Sequence, residues 1–105
     1  MTNSDKTKFR STKKWKEFRK KKIDEQKLDP ITGTKLGKHA HLHHCDLDEK
    51  HYEDLSNEDN FICLNTMSHK CIHFLFSRKY PKHWRKRILN IINILKKMEK
   101  LNTKE

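Results

Sequence analysis

His69 and His73 stand four residues apart in a stretch whose apolar positions read as helical. On a helix that spacing puts two imidazoles one above the other on a single face. Two imidazoles so placed can hold one metal ion between them, and a fold that does this needs a second segment to complete the ligand set. The run His39-Ala40-His41-Leu42-His43-His44 is the place to look. It alternates, so that on a strand His39, His41 and His43 point to one side and Ala40, Leu42 and His44 to the other. A hairpin built on this run could deliver a third imidazole to the helix, while the imidazole next to it could act as a base. Asn60 opens Asn60-Phe61-Ile62-Cys63-Leu64, a short apolar run that reads as the partner strand.

The core that such a chain can build is small. It has 105 residues, of which 32% are hydrophobic, enough for one domain of a kind that commonly leans on a metal, a partner or a disulfide. Three cysteines, Cys45, Cys63 and Cys71, form no C-x-x-C pair. The odd count, the lack of a signal-peptide pattern and the high lysine content predict a reducing, cytoplasmic setting. No apolar run reaches about 18 residues, so no transmembrane helix and no membrane partner are expected.

Net charge is +11, unevenly spread: residues 1–27 carry +7, residues 28–60 carry −5 and residues 61–105 carry +9. Two basic flanks around an acidic, histidine-rich centre suit a polyanionic partner, most simply nucleic acid gripped through its phosphates.

Along the chain, residues 1–10 are polar without periodicity and are expected to be a flexible basic arm. Ser11 or Thr12 can cap a helix running to about Gln26, with Trp15, Phe18 and Ile23 as a narrow apolar stripe. Its basic face offers Lys13, Lys14, Lys20 and Lys21 to a DNA backbone. Pro30 and Gly33 mark a tight turn. Thr66 or Ser68 caps the histidine helix, which continues to about Ser77. Pro81 suits the start of a last helix over 81–101, in which Trp84, Ile88, Ile91, Ile92, Leu95 and Met98 form an amphipathic stripe. This helix is expected to pack over the core, and it is also a candidate homodimer surface. Arg85 and Lys86 on it, with Lys70 on the histidine helix, are further candidate phosphate contacts; for Lys70 a merely solvated lysine is an equal reading. The whole is expected to be α+β, a single domain over 11–105 with its core motif at 28–77.

In order, the pieces are a strand ending in His43-His44, a loop, a strand led by Asn60, and a helix with His69 and His73. This arrangement resembles the HNH endonuclease family, whose ββα-metal fold wraps two short strands and a helix around one divalent ion. The resemblance implies roles by matched position. His44 would be the general base that takes a proton from water. His43 and His69 would be metal ligands, and His73 a third ligand or a contact to the scissile phosphate. Asn60 would hold the loop that carries His44. The implied activity is metal-dependent hydrolysis of DNA phosphodiester bonds, nicking or cutting, with double-stranded DNA as partner and one divalent ion, Mg²⁺ first, then Mn²⁺, Ni²⁺ or Zn²⁺. The compact single domain looks like a phage- or mobile-element-encoded nuclease acting in a bacterial cytoplasm.

The residue types suit that chemistry on their own terms. Phosphodiester cleavage needs an activated water and charge neutralisation at the phosphoryl oxygens, and histidine accepts protons near neutral pH. One departure from the family is coherent. Many of its members add a structural zinc on two C-x-x-C pairs, and the matching places here are Asp29-x-x-Thr32 and Asn65-x-x-Ser68. No structural zinc is therefore expected. His51 and His83 read as incidental, Asp46 and Asp48 as solvated loop carboxylates, and Cys63 and Cys71 as small core residues. His39 and His41 read either as phosphate contacts or as exposed side chains. The competing readings are a non-catalytic HNH-like module that binds nucleic acid or protein, and a basic protein whose histidines bind zinc for folding alone.

Overall fold

The computed structural model describes residues 1–103. The chain forms two compact units, Met1–His69 and the segment from Lys70 onward, and the division falls inside one unbroken helix. The sequence predicts one domain over 11–105; residues 104 and 105 of that span lie outside the described residues.

The first unit begins with α1, Asn3–Arg10, where the sequence predicts an arm without regular structure. Local chemistry explains the difference. Thr2 and Asp5 form a capping box, with Thr2 Oγ1 accepting from Asp5 N at 3.1 Å and Asp5 Oδ2 accepting from Thr2 N at 3.0 Å. Phe9 then packs against the core, so the helix has an apolar anchor as well as a cap. Helix α2, Lys13–Gln26, starts at the expected Thr12 cap and ends at Lys27, whose φ of 68° is a left-handed stop. Trp15 is buried, and Phe18 and Ile23 pack beside it.

Strands β1, His41–His44, and β2, Phe61–Leu64, pair as an antiparallel hairpin in the register His41 with Leu64, Leu42 with Cys63, His43 with Ile62 and His44 with Phe61. Leu42, Phe61 and Cys63 share one face and enter the core with Trp15, Leu36 and Ala40. Two side chains of α2 staple the helix to the hairpin. Arg19 donates to Ala40 O and Lys38 O. Gln26 mimics an adjoining strand: its Nε2 donates to Cys63 O at 2.7 Å and its Oε1 accepts from Cys63 N at 2.8 Å. Both bonds answer backbone groups on a strand edge that would otherwise need water.

The turn at residues 29–34 is closed by Gly33 N donating to Asp29 O and Asp29 N to Thr34 O, each at 2.8 Å, with Gly33 at a φ of 71° that favours glycine. Asp29 itself is fully buried. Its Oδ1 accepts from Ile31 N and Thr32 N, its Oδ2 from Asn65 N, and Ser68 also bonds to it. Burial by itself raises the carboxyl's pKa, and the bonds from Thr32, Asn65, Ser68 and Ile31 outweigh it, holding the group down at about 2. Asn65 adds two more ties, accepting from Gly37 N and donating to Lys35 O. The four positions 29, 32, 65 and 68 are thus drawn together by an ionised carboxylate and its donors, which join the turn to the start of the next helix.

Helix α3, Thr66–Leu75, carries both helical histidines. In the second unit a single 3₁₀ turn, Pro81–His83, leads into α4, Trp84–Asn102. Arg87 donates to Phe74 O at 2.7 Å and to Leu75 O at 3.4 Å, satisfying carbonyls at the end of α3. No residue of α4 is fully buried; along its stripe Trp84, Ile88 and Ile91 are half-buried, while Ile92, Leu95 and Met98 are 37%, 54% and 53% exposed. No helix of the described residues is long and apolar enough to cross a membrane.

Candidate metal and base site

The two-residue period of β1 sends adjacent histidines to opposite faces of the hairpin. His43 lies on the face with His41, and His44 on the core face with Leu42, as the cross-strand pairs require. Two histidines next to each other in sequence therefore do not compete for one space.

On the first face, the His43 and His69 rings meet edge to face, with centroids 5.3 Å apart. His73 follows one turn along α3, and one nitrogen from each of His43, His69 and His73 lies within 4.8 Å of the others. Tetrahedral coordination at about 2.1 Å brings ligand nitrogens to about 3.4 Å of each other, so modest side-chain rotation completes the set. Three imidazoles with further positions open is a donor set that suits Zn²⁺ or Ni²⁺; Mg²⁺, placed first from the sequence, prefers carboxylate and water oxygens and is the poorer fit. His41 stacks nearly parallel on His69 at 4.4 Å, with Nε2 3.5 Å from Thr66 Oγ1. His39 falls in the turn before β1, outside the strand that the sequence predicts for it.

On the core face, His44 Nε2 lies 2.9 Å from Tyr52 O. A carbonyl only accepts, so Nε2 is the nitrogen that carries a proton in this contact. The ring runs parallel to Tyr52 at 4.4 Å and to Trp15 at 5.7 Å. Asn60 is buried and ties down the residues that follow His44: its Oδ1 accepts from Asp46 N at 2.6 Å and its main-chain oxygen from Cys45 N at 2.8 Å. His51, read as incidental, pairs with Asp46, which raises the imidazole's pKa through a hydrogen bond and charge. Asp46 is held low, first by the bond from Asp48 N and then by His51.

Lys13, Lys14, Lys20 and Lys21 are all exposed on α2, but they are not equivalent. Lys21 pairs with Glu58 at 2.8 Å, and Lys13 sits 3.7 Å from Glu17. Lys70 is exposed on α3, and in the second unit Arg85 lies over the Trp84 ring with Lys86 exposed beside it.

Sequence reasoning did not single out Tyr52, and it named Asp29 only as a place where the structural-zinc cysteines are missing. Each left a signal: an aromatic residue inside an acidic loop asks to be buried, and Asp-Pro-x-x-Gly is a turn in which the aspartate bonds to the backbone ahead of it.

No protein-family model matches the chain, and no curated protein or solved structure gives a significant match.

Proposed function

We propose that the chain is a metal-dependent endonuclease of the HNH type that nicks or cuts DNA. The observation that carries this reading is the pairing on β1: an imidazole whose Nε2 is committed to Tyr52 O, beside an imidazole grouped with His69 and His73. In this scheme His44 Nδ1 takes the proton of the attacking water. His43, His69 and His73 hold the ion, which supplies Lewis-acid stabilisation of the phosphoryl and leaving oxygens when bound. Asn60 keeps the segment after His44 in place. The exposed lysines of α2 contribute phosphate contacts without reading sequence.

The test is incubation of supercoiled plasmid with the protein and Zn²⁺, Ni²⁺, Mn²⁺, Mg²⁺ or EDTA, with His44→Ala alongside. Cleavage is expected with a transition metal and is expected to fall by about 10²–10⁴-fold in the variant. Salt-sensitive binding without cleavage by any metal would instead establish a non-catalytic nucleic-acid module. The apolar residues that α4 leaves exposed favour a homodimer through that helix, which would raise linear over nicked product.

A further inference from the structure

The loop between β1 and β2 is rich in charge, yet it places one aromatic residue, Tyr52, at 8% exposure against the face of His44. Elements from three parts of the first unit gather around Tyr52 and His44. From α1, Arg10 donates to the Tyr52 hydroxyl at 2.9 Å, Lys6 Nζ lies 5.2 Å from the ring centre, and Phe9 meets the ring edge-on at 5.8 Å. From the loop, Glu49 takes the Lys6 ammonium at 3.0 Å, closing α1 onto the turn Glu49–His51 that precedes Tyr52. From α2, Trp15 lies parallel to the His44 ring and tilted against Phe9.

The consequence concerns orientation. The bond from His44 Nε2 selects a tautomer, and Phe61 meets the ring edge-on at 4.9 Å. Two near-parallel aromatic neighbours, at 11° and 5°, define the plane of that ring. We propose that Tyr52 is a positioning residue for His44, and that α1 is a strap holding Tyr52 in place through Arg10, Lys6 and Phe9. This deepens the proposed reading of His44 as the base and rests on it. It also gives a role to a helix that lies outside the hairpin-and-helix motif and would otherwise look dispensable.

The experiment uses the full chain with Tyr52→Leu, Tyr52→Phe and Glu49→Gln. Tyr52→Leu keeps the main-chain carbonyl and removes the ring; Tyr52→Phe keeps the ring and removes the Arg10 contact; Glu49→Gln loosens the strap without touching His44. Three readouts are taken: the tautomer of the His44 ring by long-range ¹H–¹⁵N NMR, the affinity for Zn²⁺ by calorimetry, and the kcat and KM of plasmid cleavage. A His44 ring no longer held in its plane loosens its Nε2 bond to Tyr52 O, so for Tyr52→Leu the expected result is a mixed His44 tautomer and a fall in kcat of about tenfold to a hundredfold, with KM and Zn²⁺ affinity within about twofold. Tyr52→Phe and Glu49→Gln are expected to shift the same signals less, and they decide the matter if Tyr52→Leu fails to fold. A His44 spectrum unchanged in folded variants would overturn the proposal. If the wild-type chain cleaves nothing, the nuclease reading fails while the NMR comparison still judges Tyr52 and α1 as His44's positioners.

Discussion

The Asp29 junction carries a load that can be measured. Replacing Asp29 by Ala removes the acceptor for three main-chain N–H groups, those of Ile31, Thr32 and Asn65, and for Ser68. Each buried donor left without a partner costs about 1–3 kcal/mol. Water can reach the Ile31 end, where the side chain is 50% exposed, whereas Ser68 is 3% exposed. The loss is therefore dominated by Asn65 and Ser68, about 2–4 kcal/mol in all, a large share of the roughly 5–15 kcal/mol that holds a small protein folded. Asp29→Asn keeps one oxygen for Ile31 and Thr32 but turns an amide NH₂ toward Asn65 N, so roughly half the loss is expected. Urea unfolding followed by far-UV circular dichroism and tryptophan emission reads both. Acid supplies an independent arm. The folded pKa, about 2, lies below the ordinary 3.8, so this contribution is complete above 3.8 and drains away as pH falls toward 2. In Asp29→Asn that part of the acid sensitivity should vanish. A loss under about 1 kcal/mol for Asp29→Ala, or an acid profile identical in Asp29→Asn, would refute the idea that the carboxylate holds the turn to α3.

Two further outcomes follow from the site. Replacing His69, one of the three imidazoles of the cluster, should weaken Zn²⁺ or Ni²⁺ binding by at least about a hundredfold in a calorimetric titration, while His83→Ala leaves it unchanged; equal affinities would dissolve the assigned triad. DNA binding should weaken steeply between low and moderate salt, with a log–log slope that becomes shallower by about one for each engaged lysine removed. Lys14 and Lys20 should contribute more to that slope than Lys21, whose charge is already answered by Glu58.

Local spacing made much of the first unit legible. The cap at Thr12, the turn at residues 30–33, the hairpin strands and the α3 histidine pair all follow from periods of two and 3.6 and from the chemistry of Pro, Gly and Thr. The placement of His43 and His44 on opposite faces is a direct consequence of the strand period. Other features were harder to read. Helix α1 depends on the Thr2–Asp5 box together with a core for Phe9 to reach, and only the second of these distinguishes it from a polar arm. The α4 stripe has the expected periodicity, but periodicity reports that a face is apolar and not that anything covers it.

What the sequence by itself determined, then, is the elements from α2 onward and the side of each on which the histidines lie, because φ/ψ preferences and side-chain periods are properties of neighbouring residues. What only the tertiary structure decided is which groups meet: His43 with His69, His44 with the Tyr52 carbonyl, and Asp29 with the amide of Asn65. Asp29 and Asn65 are 36 positions apart, and His44 and Tyr52 are joined by an irregular loop. No local period reaches across either gap. Those contacts exist because burying Trp15, Phe61 and Cys63 in one small core leaves the chain few ways to satisfy the polar groups that come with them.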